Sequence, residues 1–442
     1  MKERRVKYPF LTKDVIIHEQ ENGHKIVLAY KEGGLVNVSS WVKTGSINET
    51  DKNNGISHFL EHLMFKGTHR HPAGEFDHIL EAKGAIVNAA TWKDYTFYYV
   101  TLPKGDNNEN LNLAIELHAD MMIDPVIPDY EMGAPFNIND KNITDKKERH
   151  VVIEEIRMRK DQPWTKVYNA TNHAMYTNHP YKRDVIGTPE IISQVSREEI
   201  MNYYKTFYSP QNVTTIIVGD FDFNDVLTKV QKEFNWGARP NPPERNILPD
   251  KPTNETLYIE NEANITSSFM MFGYLGVPAR DLKNLIALEM LAIILGEGTS
   301  SRLYLNLVEN IEENIFNIID AESYAFRDGS NFFIQANFNS QYKDKAIELI
   351  KNEIEKLKEG ITEKELNKAK KKLKSQFACE SETVSEIGES IGYYMTVCDD
   401  LDLAEQYIPT CNAITAKDLQ NAAEKFLNIN NAVISVLRPK SL

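Results

Sequence analysis

The chain has 442 residues, with 50 Lys and Arg against 64 Asp and Glu, and a formal net charge of −14. A composition of 41% hydrophobic, 10% aromatic and 26% charged residues excludes a disordered chain. The length exceeds the ~250–300 residues one core can hold, so two or more domains are expected. The acidic balance argues against a nucleic-acid binder, which needs a basic surface.

Taken in chain order, residues 1–10 are basic but lead into no apolar stretch, and no apolar run of about 18 residues follows anywhere. The chain as given therefore reads as cytoplasmic, with no membrane span. Residues 35–44 alternate as a strand does, and 95–102 are dense in aromatic and β-branched residues. Residues 110–122 and 343–358 carry apolar side chains at helical spacing. The lysine-rich stretch 364–374 holds Leu366, Ala369 and Leu373 and reads as a helix with a solvated face. Cys379, Cys398 and Cys411 lack metal or redox spacing and read as ordinary thiols. All 11 histidines lie between His18 and His179, so any imidazole chemistry belongs to the first half.

The segment 235–255 contains Pro240, Pro242, Pro243, Pro249 and Pro252 and reads as an extended connector. It separates a first domain, 1–235, from a second, 256–442, with the linker at 236–255. The domains repeat each other. A helix-like stretch at 195–207 precedes a strand-like run at 213–218, and the same order recurs at 414–426 and 432–437. At an offset of 219 residues Phe207 coincides with Phe426 and Asn212 with Asn431. Both helices open with Ser or Thr three residues before a carboxylate, the pattern of a capping box. A duplicated α+β unit is predicted.

Chemistry concentrates in Gly55-Ile-Ser-His-Phe-Leu-Glu-His-Leu-Met-Phe-Lys-Gly67. His58 and His62 are four apart, so on a helix they share one face and can hold one ion. Glu61 sits on the flank of that face, placed to act as a base rather than as a ligand. The order H-x-x-E-H inverts the H-E-x-x-H zinc-peptidase motif. Lys66 and Gly67 supply a helix stop, and Ile56, Phe59, Leu60, Leu63 and Met64 seat the helix in a core. A zinc ion needs a third protein ligand. The candidates lie on the predicted helix 146–157, where Glu148 and Glu155 are two turns apart on one stripe and Glu154 points about 100° away. One of the pair can bind the ion and the other orient a histidine.

Together these segments resemble the M16 peptidases (pitrilysin, insulysin and the mitochondrial processing peptidases), above all the shorter M16B members. The likeness runs through His58-Phe-Leu-Glu-His-Leu-Met-Phe-Lys-Gly-Thr68, Gly84-Ala-Ile-Val-Asn-Ala-Ala-Thr91 and Glu148-Arg-His-Val-Val-Ile-Glu-Glu-Ile-Arg157. It continues through His179-Pro-Tyr-Lys-Arg-Asp-Val-Ile-Gly-Thr188 and the glycine-containing segment Leu295-Gly-Glu-Gly-Thr-Ser-Ser-Arg-Leu-Tyr304. The resemblance implies a clamshell of two homologous α/β-sandwich halves, α+β in class, and a zinc endopeptidase with one Zn2+ per chain. It implies His58, His62 and Glu155 as zinc ligands, Glu61 as general base and Glu148 as the residue orienting a ligand. Asn88, Ala89 and Thr91 fall where the family's sheet edge takes an extended peptide substrate as an added strand. M16B chains typically pair as dimers around a chamber.

Two departures from the family pattern stand out. The interval between His62 and Glu155 is long, and the surplus falls at 124–147, rich in Pro, Asn and Asp, which reads as an inserted loop. Where the family places an Arg and a Tyr seven apart, this chain has Glu309 and Phe316. A carboxylate cannot stabilise an oxyanion, and Phe has no hydroxyl to donate. The expected partner is thus a non-identical M16B chain that supplies Arg and Tyr; a self-sufficient homodimer and a non-catalytic M16-like scaffold are the competing readings. His69, His71, His78, His118, His150, His173 and His179 are read as structural or surface residues.

Overall fold

Among the described residues, 2–140 and 147–440 of the computed structural model, the strands form two sheets. The first sheet draws on β1 (Lys2–Val6), β2 (Val15–Glu19), β3 (Lys25–Tyr30), β4 (Leu35–Val42), β5 (Ile86–Thr91), β6 (Thr96–Pro103) and β7 (Val213–Gly219). The second draws on β8 (Leu257–Ala263), β9 (Ser268–Leu275), β10 (Phe316–Ala325), β11 (Ser330–Phe338) and β12 (Val433–Pro439). The helices that shape the site and cover the sheets are α1 (Ile56–Met64), α2 (Glu109–Ile123), α3 (Glu148–Asp161), α4 (Pro163–Met175), α5 (Arg197–Phe207), α6 (Leu282–Leu295), α7 (Val384–Tyr393) and α8 (Ala416–Phe426).

The strand orders are β1-β2-β3-β7-β4-β6-β5 and β10-β11-β9-β12-β8. Reading β3-β7-β4-β6-β5 against β8-β12-β9-β11-β10, each pairing has the same sense. The pair β3/β7 is parallel, as is β8/β12, and every later pair is antiparallel. The repeat inferred from local pattern is therefore a repeat of topology: two like α+β halves. At its most legible point the match extends to the caps. Ser196 and Glu199 form a capping box on α5, and Thr415 and Asp418 form one on α8.

Chain contacts divide the molecule into two units whose sequences interleave. Unit 1 comprises residues 1–157, 183–246 and 378–405; unit 2 comprises 158–182, 247–377 and 406–442. Each unit thus takes one helix from the other half of the sequence. In unit 1, even-numbered positions of β4 and β6, including Val38, Val42, Tyr98 and Val100, join one core with Phe59 and Leu60 of α1 and Leu111 and Ile115 of α2. The opposite face receives α7, whose Gly388 and Gly392 lie against Asn37 and Trp41. In unit 2, α4 approaches β9 where Gly273 leaves room for Thr171 and Met175.

The segment 124–147 holds a short helix at Asp129–Met132; residues 141–146 of it lie outside the described residues. The part that is described is docked rather than free. The fully buried Arg149 donates from Nε to Gly133 O at 3.1 Å and from Nη2 to Val195 O at 2.8 Å, with Nη1 on Ile192 O. Phe136 stacks on His150 with ring centroids 4.5 Å apart.

Candidate metal centre

The first-turn geometry of α1 follows from its apolar stripe. Ile56, Phe59, Leu60, Leu63 and Met64 are all buried to within 1% exposure, and this fixes the opposite flank of the helix, with its two histidines, toward α3. The ring centroids of His58 and His62 are 4.7 Å apart. The helix ends at Met64 with Phe65 as its C-cap at φ −83°, so the left-handed Gly67 (φ 96°) does not cap it but stands in the following turn, bridged to Pro72.

Helix α3 meets this face with the predicted stripe. Glu155 Oε2 lies 3.8 Å from His58 Nε2 and 3.6 Å from His62 Nε2. The three ligand atoms fall within 4.8 Å of one another. A tetrahedral zinc with bonds of about 2.0–2.1 Å sets its ligand atoms roughly 3.3–3.5 Å apart, and the two distances from Glu155 to the histidines lie within about half an ångström of that spacing. Two imidazoles and a carboxylate also have the right chemistry for zinc. Glu154 turns outward and pairs with Arg157 at 2.6 Å.

Glu148, two turns before Glu155, bonds His62 Nδ1 at 2.9 Å. That contact directs the other ring nitrogen, Nε2, at Glu155 and the ion position. Lys66 Nζ reaches the second Glu148 oxygen at 2.5 Å. Burial alone would raise Glu148, but the His62 and Lys66 bonds outweigh it and hold the carboxyl below its ordinary value. His62 is likewise pulled down by burial, yet its bonds to Glu148 and Glu155 prevail and raise it to about 9. An ion binding the metal-free site near neutral pH must therefore displace a proton from His62.

Glu61 is buried at 8% exposure beside this trio and accepts a 2.5 Å hydrogen bond from the Thr91 hydroxyl. Burial pushes its carboxyl up; the Thr91 bond and His62 oppose that, and Glu155 adds to it. Three carboxylates, Glu61, Glu148 and Glu155, thus converge on two imidazoles, and a divalent cation suits that excess of negative charge.

Thr91 ends β5, and β5 is the last strand of its sheet, so one edge of its backbone has no strand beside it among the described residues. Ala89 and Thr91 share the α1 side of the sheet, whereas Asn88 alternates to the other side, is exposed, and accepts from the Ala89 backbone N–H at 2.9 Å. The structure therefore brings together His58, Glu61, His62, Glu148, Glu155 and Thr91, sets Ala89 two residues away, and points the Asn88 side chain elsewhere. Sequence reasoning missed the Thr91–Glu61 bond and took Lys66 only for a helix stop. Its position four after His62 was the available signal, since i and i+4 share a face.

Glu309 is exposed at the end of a π-helical turn at Leu305–Glu309, and Phe316 is 2% exposed at the start of β10, against Phe338. Neither offers a cation or a hydroxyl.

Fold and site together define a protein of two like α+β halves, one of which gathers two imidazoles and a carboxylate close enough together to hold a metal ion. The chain belongs to the M16 peptidase family: residues 25–189 match the model described as Insulinase (Peptidase family M16), and residues 194–373 match the one described as Peptidase M16 inactive domain. It is 29% identical over 428 residues to the zinc protease PqqE of Helicobacter pylori, covering 95% of this chain and 91% of that one. It is 22% identical to the probable mitochondrial-processing peptidase subunit beta of Arabidopsis thaliana, over 91% of this chain and 74% of that one. The crystal structure of a protease from Helicobacter pylori superimposes with a TM-score of 0.82 at 26% identity over 99% of both chains. A peptidase M16 inactive domain from Pseudomonas fluorescens shares the fold with a TM-score of 0.85 at 17% identity, over 97% of this chain and 98% of that one. Among the described residues no helix is long and apolar enough to cross a membrane.

Proposed function

We propose that the chain is a zinc-dependent endopeptidase that cleaves extended or unfolded peptides, with one Zn2+ held by His58, His62 and Glu155. The observation that carries this reading is the meeting of those three side chains, from two helices, beside the buried carboxylate of Glu61. Zinc, when bound, supplies a Lewis acid that brings the pKa of water down to about 7 and polarises the carbonyl under attack. Glu61 takes the proton from the attacking water and passes it to the leaving amine; a carboxyl pushed up by burial is suited to both transfers. Glu148 holds His62 in the tautomer that faces the ion. Peptide joins the open edge of β5 at Asn88, Ala89 and Thr91 as an added strand, mainly through its backbone. Thr91, bonded to Glu61, ties that edge to the base.

In this reading residues 1–235 bear the chemistry, 236–255 connect, and 256–442 retain the architecture. The chain works inside a dimeric chamber as the metal-bearing subunit, with a non-identical M16B chain supplying Arg and Tyr. Support comes from Glu309 and Phe316 at the places where those groups belong, and from the likeness to a chain named as a subunit.

Glu61→Gln tests the base. The variant keeps its zinc and loses peptide turnover by a factor of about 10² or more, in line with general-base loss. Ordinary cleavage by that variant would remove Glu61 from the mechanism.

A further inference from the structure

The helix that carries His58, Glu61 and His62 has no capping side chain of its own. Its N-cap residue is Gly55, in the left-handed conformation at φ 96°. The first N–H groups of a helix need acceptors from outside it, and in most helices a Ser, Thr, Asp or Asn at the N-cap provides one. Here the acceptor comes from another segment. Glu49 Oε2 accepts from Gly55 N at 2.8 Å and Glu49 Oε1 from Ser57 N at 2.9 Å. Asn54 Nδ2 adds a third bond at 2.7 Å.

Glu49 is 4% exposed, and among the described residues no lysine or arginine side chain bonds to its carboxylate. Burial pushes the Glu49 carboxyl up, and this set of donors together with the positive end of α1 opposes that rise. The surrounding contacts hold the arrangement in place. Arg183 Nη1 grips the Glu49 backbone oxygen at 2.8 Å. A Cβ on Gly55 would lie 2.7 Å from Ile186 O and 2.8 Å from the Cα of Gly187, so the helix start is pressed against that turn. Ser57 Oγ meets Tyr203 OH at 2.7 Å, and Tyr203 OH meets Thr44 Oγ1 at 2.7 Å. Ser57, the residue immediately before His58, is thus held from both sides.

We propose that Glu49 is a positioning residue of the metal centre: its buried carboxylate caps α1 and fixes the height and rotation at which His58, Glu61 and His62 face α3. The inference rests on the zinc-site reading above. His58 stands in the first turn of α1, one residue after the capped Ser57 N–H; His62 lies a turn further on and bonds Glu148.

The test uses the full chain, two variants at Glu49 and one control variant. Glu49→Gln keeps the shape but turns one acceptor oxygen into an N–H donor, set against either Ser57 N or the Gly55 and Asn54 donors; Glu49→Asp keeps both acceptor oxygens on a shorter arm. Val230→Ala, buried in the same core on the helix Phe223–Glu233, serves as a control for general destabilisation. In metal-free protein, amide exchange at residues 55–60 of Glu49→Gln should accelerate at least about tenfold. Zinc affinity, read by competition with a chromophoric chelator, should fall about tenfold. On a peptide substrate kcat should fall by about the same factor with KM within about twofold. Glu49→Asp should recover part of each loss, and Val230→Ala should move none of the zinc readouts. Wild-type exchange at 55–60 together with wild-type zinc affinity in Glu49→Gln would overturn the proposal, as would an equal loss of affinity in the control. If the unaltered chain itself takes up no zinc, it is the zinc-site reading that fails, and the exchange rates at 55–60 still decide the role of Glu49.

Discussion

His24 and His118 sit against the same ring, Phe234, at centroid separations of 5.3 and 6.4 Å, and both are fully buried. His24 has a 2.9 Å bond from Nε2 to Thr215 Oγ1; neither nitrogen of His118 has a hydrogen-bond partner among the described residues. Burial pulls both down to about 3 from 6.5, so they are neutral in the folded chain. Above pH 6.5 this has no effect on stability. Between 6.5 and 3 the unfolded chain binds a proton that the folded chain refuses, and stability falls as pH falls. His118→Leu removes one such site, and at pH 5 it should spare about 2 kcal/mol of the loss relative to pH 7.5. Urea midpoints of the two proteins at both pH values check this, and parallel shifts would contradict it. The same residue type thus serves two opposite environments. Spacing alone separated them: only His58 and His62 of the 11 fall at i and i+4 with a glutamate between them. Glu49 was not legible, because its importance depends on a cap that Gly55 cannot provide, six residues away, and no local pattern marks that debt.

At the scale of elements, what the sequence made legible was whatever repeats within a turn or a strand. The stripe on α1, the Glu148/Glu155 pair two turns apart, and the capped helix before β7 and before β12 all appear where periodicity places them. The segment 124–147 reads from its Pro, Asn and Asp as an inserted loop, but the short helix at Asp129–Met132 and the docking through Arg149 were invisible, because the carbonyls that receive a buried guanidinium leave no trace in composition. Helix α7 was invisible as a cover for the first sheet for a similar reason: its role is set by a strand more than 340 positions earlier. It has a specific consequence. A Cβ on Gly392 would lie 2.0 Å from Trp41 Cε2. Helix propensity alone favours Ala over Gly by up to about 1 kcal/mol, whereas overpacking a filled core costs about 1–3 kcal/mol. With the ring only 2.0 Å away the cost lies at the top of that range, so Gly392→Ala should destabilise the protein by a net of about 2 kcal/mol in chemical denaturation. A stabilised variant would mean that α7 does not seat on Trp41.

For the whole molecule, a charge of −14 and two like halves say less about activity than the difference between the halves. The first gathers the three proposed zinc ligands; the second places a buried phenylalanine and an exposed carboxylate where the family resemblance implies a Tyr and an Arg. The zinc-loaded chain purified alone should hydrolyse an unfolded peptide poorly, and a non-identical family member that co-purifies with it should raise the rate about 10²-fold or more, the scale of losing an oxyanion donor. Full activity of the solitary chain would end the two-chain reading.

The interleaving of the units bears on how the protein is made. A ribosome that has finished residues 1–246 has released every metal-site side chain, but not the 378–405 segment that covers Trp41. Domains tend to fold as they emerge; here the metal-bearing unit must wait, its aromatic sheet face open to chaperones, until nearly the whole message has been read. A chain truncated before residue 378 would carry every residue of the proposed zinc site yet lack the helix that covers Trp41, and should expose that sheet face.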